Sequence, residues 1–427
     1  MAEGKRIVLT THGTLGDLHP YLAIALELQA RGHKPVIATS AYHRRKIEAA
    51  GIEFHAIRPD FSFDDKELHR RLIEPTRGME RIIREFLLPV LREMYDDLMV
   101  VVQRDGGADL LVSQVLIFAA PIVAEKTGVR WVSTELQPGI FMSAYDPPVL
   151  APLPALAKLR GLGSTFHAAI FRFAKLTARS WGEPVRRLRR ELGLSSGKDP
   201  LFEGRNSPHL VLALFSRVLG EPQPDWASNT LVTGFPFYDE EGSSLTPELA
   251  QFLDEGEPPI VFTLGSNAVW DAGSFYKESI AAAQKLGKRA VLLVGHDPHN
   301  QPSELSPKNI IAAPYAPYAQ IFPRASVIVH QGGIGTTAQA LRAGKPMLVM
   351  PFGGDQYDNG ARAERLGVGR TIMRNRYTAD RAAVELKALL NNPSYAEKVV
   401  AIGRHVQAEG GARVACDAIE EQLNQAA

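Results

Sequence analysis

Cysteine is almost missing: the 427-residue chain has one, Cys416. A lone cysteine excludes an internal disulfide and a cysteine-based zinc site, and it fits a reducing, cytoplasmic setting. A dominant charge is missing as well. Lys and Arg number 48 against 47 Asp and Glu, a formal net charge of +1. The basic excess that draws a protein to nucleic acid is therefore absent, and no nucleic-acid partner is expected. Long apolar runs are lacking too. The most apolar stretch, Leu110 to Ala124, is interrupted by Ser113 and Gln114 and is too short for a membrane span. The N-terminus, MAEGKRIVLTTHG, lacks the apolar region and cleavage site of a secretory leader. With 45% hydrophobic and 22% charged residues, the chain has the composition of a soluble globular protein, and its length predicts two or three domains.

What is present is an alternation of strand and helix patterns. Arg6–Thr10 is a continuous apolar strand, as expected when both sheet faces are covered. A turn, THGTLGDLHP, leads to helical spacing over Tyr21–Ala30. Pro35–Thr39 follows as a strand, Arg44–Ala50 as a helix and Ile52–Ile57 as a strand. Further strands read at Asp109–Ser113 and Val129–Thr134, with a helix between them. A second series starts near Pro259. Its strands are Ile260–Leu264, Ala290–Val294, Asn309–Ala312, Ser326–His330 and Met347–Met350, with helices at Ser274–Leu286, from Thr336 and from Asp355. Such alternation implies parallel, doubly wound sheets. Between the series, Gly220 to Glu248 is rich in Pro, Gly and acids, the composition of a domain boundary. The predicted fold class is therefore α/β, two Rossmann-like domains with parallel sheets facing a cleft. The expected division is 1–224, 225–405 and a C-terminal helix, 406–427, packing back toward the first domain. Residues 154–190 carry nine Lys or Arg with Glu183 as the sole acid, interleaved with aromatic and aliphatic residues. They read as a solvated helical hairpin, with peripheral membrane contact as the alternative.

The strongest chemical signal is Val327 to Asn359. A strand ends at His330, and Gly332, Gly333 and Gly335 lead into a helix beginning with Thr336 and Thr337. Glycines let backbone N–H groups and the positive end of a helix dipole approach an anion, as in a diphosphate cradle. Asp355 and Gln356 follow the next strand, and a carboxylate beside an amide can bind vicinal hydroxyls. The same glycines also fit a dinucleotide fingerprint, Gly333-x-Gly335-x-x-Ala338 with Asp355 about twenty residues on, so an NAD-dependent oxidoreductase is a second reading.

The segment Tyr315 to Asn359, with its His-x-Gly-Gly-x-Gly-Thr form, resembles the donor-binding signature of family 1 UDP-dependent glycosyltransferases of the GT-B fold. The bacterial branch, which includes antibiotic, rhamnolipid and sterol glycosyltransferases, is the nearest form. The turn Gly13 to Pro20 resembles the G-x-x-G-D-x-x-P turn of the same enzymes. The resemblance implies inverting transfer of a hexose, glucose being the expected sugar, from a UDP-sugar to a hydrophobic or aromatic small molecule, with no metal or other cofactor. It places Tyr315 against the nucleotide base and His330, Gly335 and Thr336 at the diphosphate. Asp355 and Gln356 fall on the sugar hydroxyls, and Ser266 on a loop that reaches the phosphates. The plant branch has a Glu for the ribose where this chain reads Ala338-Gln339, which leaves Gln339 to replace it. It has a catalytic His where this chain has Asp17, and the position of its orienting Asp reads here as Ser113.

Inverting transfer needs a base for the acceptor proton. Asp17 is the first candidate, with N-capping of a helix from Leu18 as its alternative role, and His12 and His19 come next. For the acceptor, Glu135, Gln137, Phe141 and Met142 follow a strand end, and Phe86 lies on a helix that could face them. The same residues also fit an ordinary core. A non-catalytic sugar-nucleotide-binding protein is a further alternative.

Overall fold

A computed structural model describes residues 4–60, 66–240, 242–302 and 309–425. Two sheets organise them, and every pairing in both is parallel. The first contains β1 (Arg6–Thr10), β2 (Lys34–Thr39), β3 (Glu53–Ala56), β4 (Leu110–Gln114), β5 (Arg130–Glu135), β6 (Leu210–Ala213) and β7 (Thr230–Val232), in the order β3-β2-β1-β4-β5-β6-β7. The second contains β8 (Ile260–Thr263), β9 (Ala290–Leu293), β10 (Ile310–Ala313), β11 (Val327–His330), β12 (Met347–Val349) and β13 (Gly369–Thr371), in the order β10-β9-β8-β11-β12-β13. The strand order reverses between β1 and β4, and again between β8 and β11. In open sheets a crevice opens at such switch points, beyond the carboxyl ends of the strands. The turns after β1, β4, β8 and β11 are therefore where a ligand site is built.

Apolar strands such as IVFT of β8 are buried on both faces because helices cover both. One core joins Ile7, Leu9 and Val132 to Leu18, Leu22 and Ile24 of the helix Leu15–Ala30. It also takes in Ala415, Cys416 and Ile419 of the last helix, Gly411–Asn424. The chain thus returns to the first sheet after completing the second. Another core spans the two halves, joining Phe215 and Trp226 to Ala316 and Ile328.

Three strands were not read from the sequence: β6, β7 and β13. The last two are three residues long, too short for a pattern, and β7 lies inside the Pro- and Gly-rich segment. β7 pairs with β6, so a boundary at 224 would cut it from its own sheet; the first domain extends beyond Val232. Residues 154–190 form a 3-10 segment, Pro154–Leu162, and two helices, Ser164–Ala178 and Glu183–Glu191. No helix among the described residues is long and apolar enough to cross a membrane.

Candidate active site

The first turn leaves β1 at Thr10 and enters its helix at Leu15, three residues earlier than the sequence pattern indicated. Thr14 is the N-cap, its hydroxyl accepting from the Gly16 N–H at 3.2 Å. Asp17 is the third helical residue, not the cap. Its Oδ2 accepts the Thr14 N–H at 2.8 Å, closing a capping box. Its Oδ1 accepts from Gln114 Nε2 at 3.0 Å. Gln114 is itself oriented, because its Oε1 accepts from Thr11 Oγ1 at 3.2 Å and from the His12 N–H at 3.1 Å. Gly13 has φ +132°, and a Cβ there would collide with the Asp17 carboxylate. Asp17 stays partly accessible. Burial raises its pKa while the Thr14 and Gln114 donors oppose the rise, giving a stronger base than an exposed carboxylate.

The two histidines are poorer bases. His12 is buried, with Nε2 3.0 Å from the Arg58 carbonyl oxygen. A carbonyl only accepts, so that nitrogen carries the proton. Burial lowers the His12 pKa to about 4. His19 lies against the Tyr238 ring, 5.1 Å between centroids, and burial lowers its pKa to about 3.

The opposing half is built from β11. His330 is fully buried, and its Nδ1 accepts the Gly332 N–H at 3.0 Å. The ring proton therefore sits on Nε2, which meets no hydrogen-bond partner among the described residues. Burial pushes its pKa down to about 3, so it offers a neutral N–H rather than a cation. Gly332 has φ +90°, and a Cβ would lie 2.7 Å from Val349 Cγ1. Gly333 caps the helix Ile334–Arg342 without a side-chain bond, which leaves its first-turn N–H groups for a ligand. Thr337 does not join them: it is buried, and its hydroxyl donates to the Gly333 carbonyl at 3.0 Å, bracing the turn. Thr336 is buried beside the Tyr318 hydroxyl. Gly265 packs on Gln331 and so brings the loop of Ser266 to the glycine turn. Gln339 is partly exposed, four residues beyond Gly335. Tyr315, after β10, is 56% exposed.

Asp355 precedes the helix Gln356–Leu366. Its Oδ2 accepts from Asn359 Nδ2 at 2.6 Å, and the same amide donates to the Gly332 carbonyl at 2.9 Å. Burial, then the charge of Asp17, raises the Asp355 pKa to about 7. Asp17 and Asp355, from different domains, are thus close enough for one charge to be felt by the other. A close backbone contact permits this: a Cβ on Gly335 would lie 3.5 Å from Gly16 Cα. Gln356 is half committed. Its Oε1 accepts from the Phe352 N–H at 2.8 Å and the Gly353 N–H at 3.3 Å, so only its NH2 can meet a sugar.

The acceptor side departs most from the sequence reading. Phe141 stacks on Trp226 at 3.9 Å and 10° and meets Phe215 edge-on, so its ring belongs to the core. Phe86 packs against the core of the first domain, and Leu87 and Leu88 are inside it. Glu135 is 1% exposed. Its carboxylate has no hydrogen-bond partner among the described residues and lies 3.9 Å from Arg205 Nε. Burial raises its pKa to about 7 against the pull of Arg205. Gln137 and Met142 remain partly exposed at the two ends of a 3-10 turn, Pro138–Phe141. The loop beyond is clasped from across the cleft. Arg362, 2% exposed, donates from Nη1 to Asp146 at 2.5 Å and from Nε to Asp358 at 2.6 Å. Asp358 Oδ1 accepts the Val149 N–H at 2.9 Å.

Comparison with known proteins matches this geometry. Residues 7–145 match the glycosyltransferase family 28 N-terminal domain, and residues 279–419 match the erythromycin biosynthesis protein CIII-like C-terminal domain. O-mycaminosyltylonolide 6-deoxyallosyltransferase of Streptomyces fradiae is 31% identical over 97% of each chain. The chain is a family 1 glycosyltransferase of the GT-B fold. A sterol 3-beta-glucosyltransferase of Leptosphaeria maculans is 29% identical over 99% of this glycosyltransferase, which spans 29% of that protein. Among solved structures, the glycosyltransferase of kitacinnamycin superposes with a TM-score of 0.74 at 22% identity, covering 98% of this chain and 99% of its own. Spinosyn rhamnosyltransferase SpnG, complexed with thymidine diphosphate, has a TM-score of 0.66 at 16% identity, covering 95% and 96%. Membership of this family replaces the oxidoreductase reading of the glycine turn.

Sequence reading missed three residues of this glycosyltransferase's cleft: Gln114, Asn359 and Arg362. Gln114 stood out as an amide in an apolar run, but Ser113 was taken as the position facing the base. Ser113 instead accepts from Trp131 Nε1 at 2.7 Å. Asn359 and Arg362 lie four and seven residues beyond Asp355 on one helix, a spacing that turns them toward the same side as that carboxylate.

Proposed function

We propose that the enzyme moves a hexose, glucose first among candidates, from UDP-sugar to a hydrophobic or aromatic alcohol or phenol in one inverting displacement. The observation that carries this is the convergence of Asp17 and Asp355 beside an uncapped helix N-terminus and the His330 Nε2–H. In this reading Asp17 takes the acceptor proton as the acceptor oxygen bonds to the anomeric carbon. The bond to the diphosphate breaks, and its electron pair leaves with UDP. The first-turn N–H groups and His330 receive the developing charge. Asp355 and the Gln356 NH2 hold the sugar hydroxyls, Tyr315 stacks on the base, and Ser266 and Thr336 flank the phosphates. Relatives named as sterol glucosyltransferases support a lipophilic acceptor. A thymidine diphosphate sugar is the second reading, favoured by the complex of a structural neighbour.

Thermal shift with UDP, dTDP, GDP and NAD tests the donor, since a ligand of the folded state raises its stability. Transfer from UDP-glucose to a panel of sterols and phenols, followed by mass spectrometry, tests the reaction. Stabilisation by NAD alone would overturn the reading. Binding of a nucleoside diphosphate with no transfer from any sugar donor would leave a non-catalytic binding protein.

A further inference from the structure

The hairpin between Pro154 and Arg190 has more apolar surface than its own domain covers. In the helix Ser164–Ala178, Phe171 is buried and Phe166 and Ile170 are partly covered. Phe173, 70% exposed, and Leu176, 62% exposed, extend the stripe of Phe166 and Ile170 away from buried Phe171. An apolar stripe wider than its own domain covers leaves apolar surface for a second partner. The 3-10 segment before it adds Leu153, Leu159 and Leu162, all exposed. It folds onto the helix through His167, whose Nε2 lies 3.2 Å from the Leu159 carbonyl oxygen. Exposed apolar clusters of this kind mark interaction surfaces.

Charge identifies the partner. No acid occurs between Asp146 and Glu183, while Lys158, Arg160, Arg172, Lys175 and Arg179 do. Arg160 pairs with Asp146 and Lys175 with Glu203. Lys158, Arg172 and Arg179 pair with no acid among the described residues. Apolar side chains rimmed by unpaired cations match the boundary of an anionic bilayer, where the apolar groups enter below the headgroups and the cations meet phosphates. The same hairpin reaches the loop beyond Met142, on the proposed acceptor side, because Arg160 Nη1 also donates to the Pro147 carbonyl at 2.7 Å.

We propose that this hairpin docks on an anionic lipid surface through Phe173, Leu176 and Leu162, with Lys158, Arg172 and Arg179 at the headgroups. Docking would set the loop beyond Met142 beside the layer in which a lipophilic acceptor dissolves.

The test is flotation of the whole protein with vesicles of phosphatidylcholine alone, and of phosphatidylcholine with one quarter phosphatidylglycerol, at low and high salt. The wild type should float with the anionic vesicles at low salt and much less at high salt. Phe173→Ser/Leu176→Ser should weaken that binding about tenfold or more, the scale of two apolar side chains kept in water. Lys158→Glu/Arg172→Glu should abolish the preference for anionic lipid. Transfer to a water-soluble acceptor and the melting temperature should stay at wild-type values in both variants, which separates lost docking from lost folding. Failure of the wild type to float, or equal flotation of either variant, would overturn the proposal. So would light scattering showing a lipid-free dimer that Phe173→Ser/Leu176→Ser dissociates, because a second copy would then cover the patch.

Discussion

Asp17 serves the local fold and the proposed chemistry with the same two oxygens, so its replacements must be read atom by atom. Asn in its place keeps one acceptor oxygen, enough for Thr14 or for Gln114 but not both. Asp17→Asn should cost about 1 kcal/mol of stability, the worth of one hydrogen bond. Transfer to an aliphatic alcohol should fall by about 10²–10⁴, the usual contribution of a positioned base. A rate near wild type in that variant would reduce Asp17 to a capping residue. Gln114→Leu tests the orienting amide without touching the carboxylate. It removes a donor to the charged form, so the Asp17 pKa rises further. Because the base must be ionised, the acidic limb of the kcat/KM profile should move to higher pH; an unmoved limb would mean that the amide has no such role. Asp355 gives a pH dependence of stability with its own sign. Its native pKa is raised to about 7, so between about pH 4 and 7 the native state holds a proton that the unfolded state has released. Its contribution therefore falls as pH rises through that window. Urea unfolding at pH 5 and pH 8 should show a smaller loss in Asp355→Asn than in the wild type.

The helix Gln356–Leu366 carries two jobs. Its first turn, with Asp355 ahead of it, faces the glycine turn; Asp358 and Arg362, one turn apart, hold the loop of Asp146 to Val149. Arg362 is nearly inaccessible, so Arg362→Ala would leave buried Asp358 without its ion-pair partner, while Asp146 keeps Arg160, and should cost about 3–5 kcal/mol. Asp146→Asn is the milder probe. It weakens the clasp, leaves Asp358 paired and touches no donor-side residue. The acceptor KM should rise severalfold while the UDP dissociation constant stays within twofold, read from initial rates beside calorimetry. Equal loss of both would place the clasp in general stability instead. At the glycine turn, His330→Ala removes a neutral donor whose other nitrogen shapes the loop through Gly332. UDP binding should weaken by about 1.5–3 kcal/mol, the scale for a hydrogen bond to a charged group. Unchanged affinity would sink the diphosphate assignment.

At the scale of the molecule, the two halves share cores rather than merely touching. Phe215 and Trp226 of the first domain pack with Ala316 and Ile328 of the second, and the last helix covers the first sheet. Ending the chain at Gly410 would remove Ala415, Cys416 and Ile419 from the core they share with the helix Leu15–Ala30. Calorimetry should show a single cooperative transition for the full chain and a separate, lower one for the first domain of the truncated form. An unchanged single transition would show that the helix contributes little.

Local pattern carried most of the fold. The continuous apolar strands of β1, β8 and β11, the helices that follow them and the glycine turn after His330 were legible because each depends on neighbours in sequence. The places of Asp17, His330 and Asp355, in or beside the turns that such patterns expose, were legible too. β7 and β13 were not legible, since three residues carry no period and, unlike the equally short but wholly apolar β12, neither is an apolar run. Nor were the duties of Gln114, Asn359 and Arg362, whose partners lie 97, 27 and 216 residues away. The sequence left Phe86 and Phe141 between an acceptor wall and a core, and set Thr337 at the start of the helix after the glycines. Packing sent the two rings to cores and spent the hydroxyl on a carbonyl. Apolar and polar side chains announce their type in the sequence, but which surface or partner each one meets is decided only when distant elements close on one another.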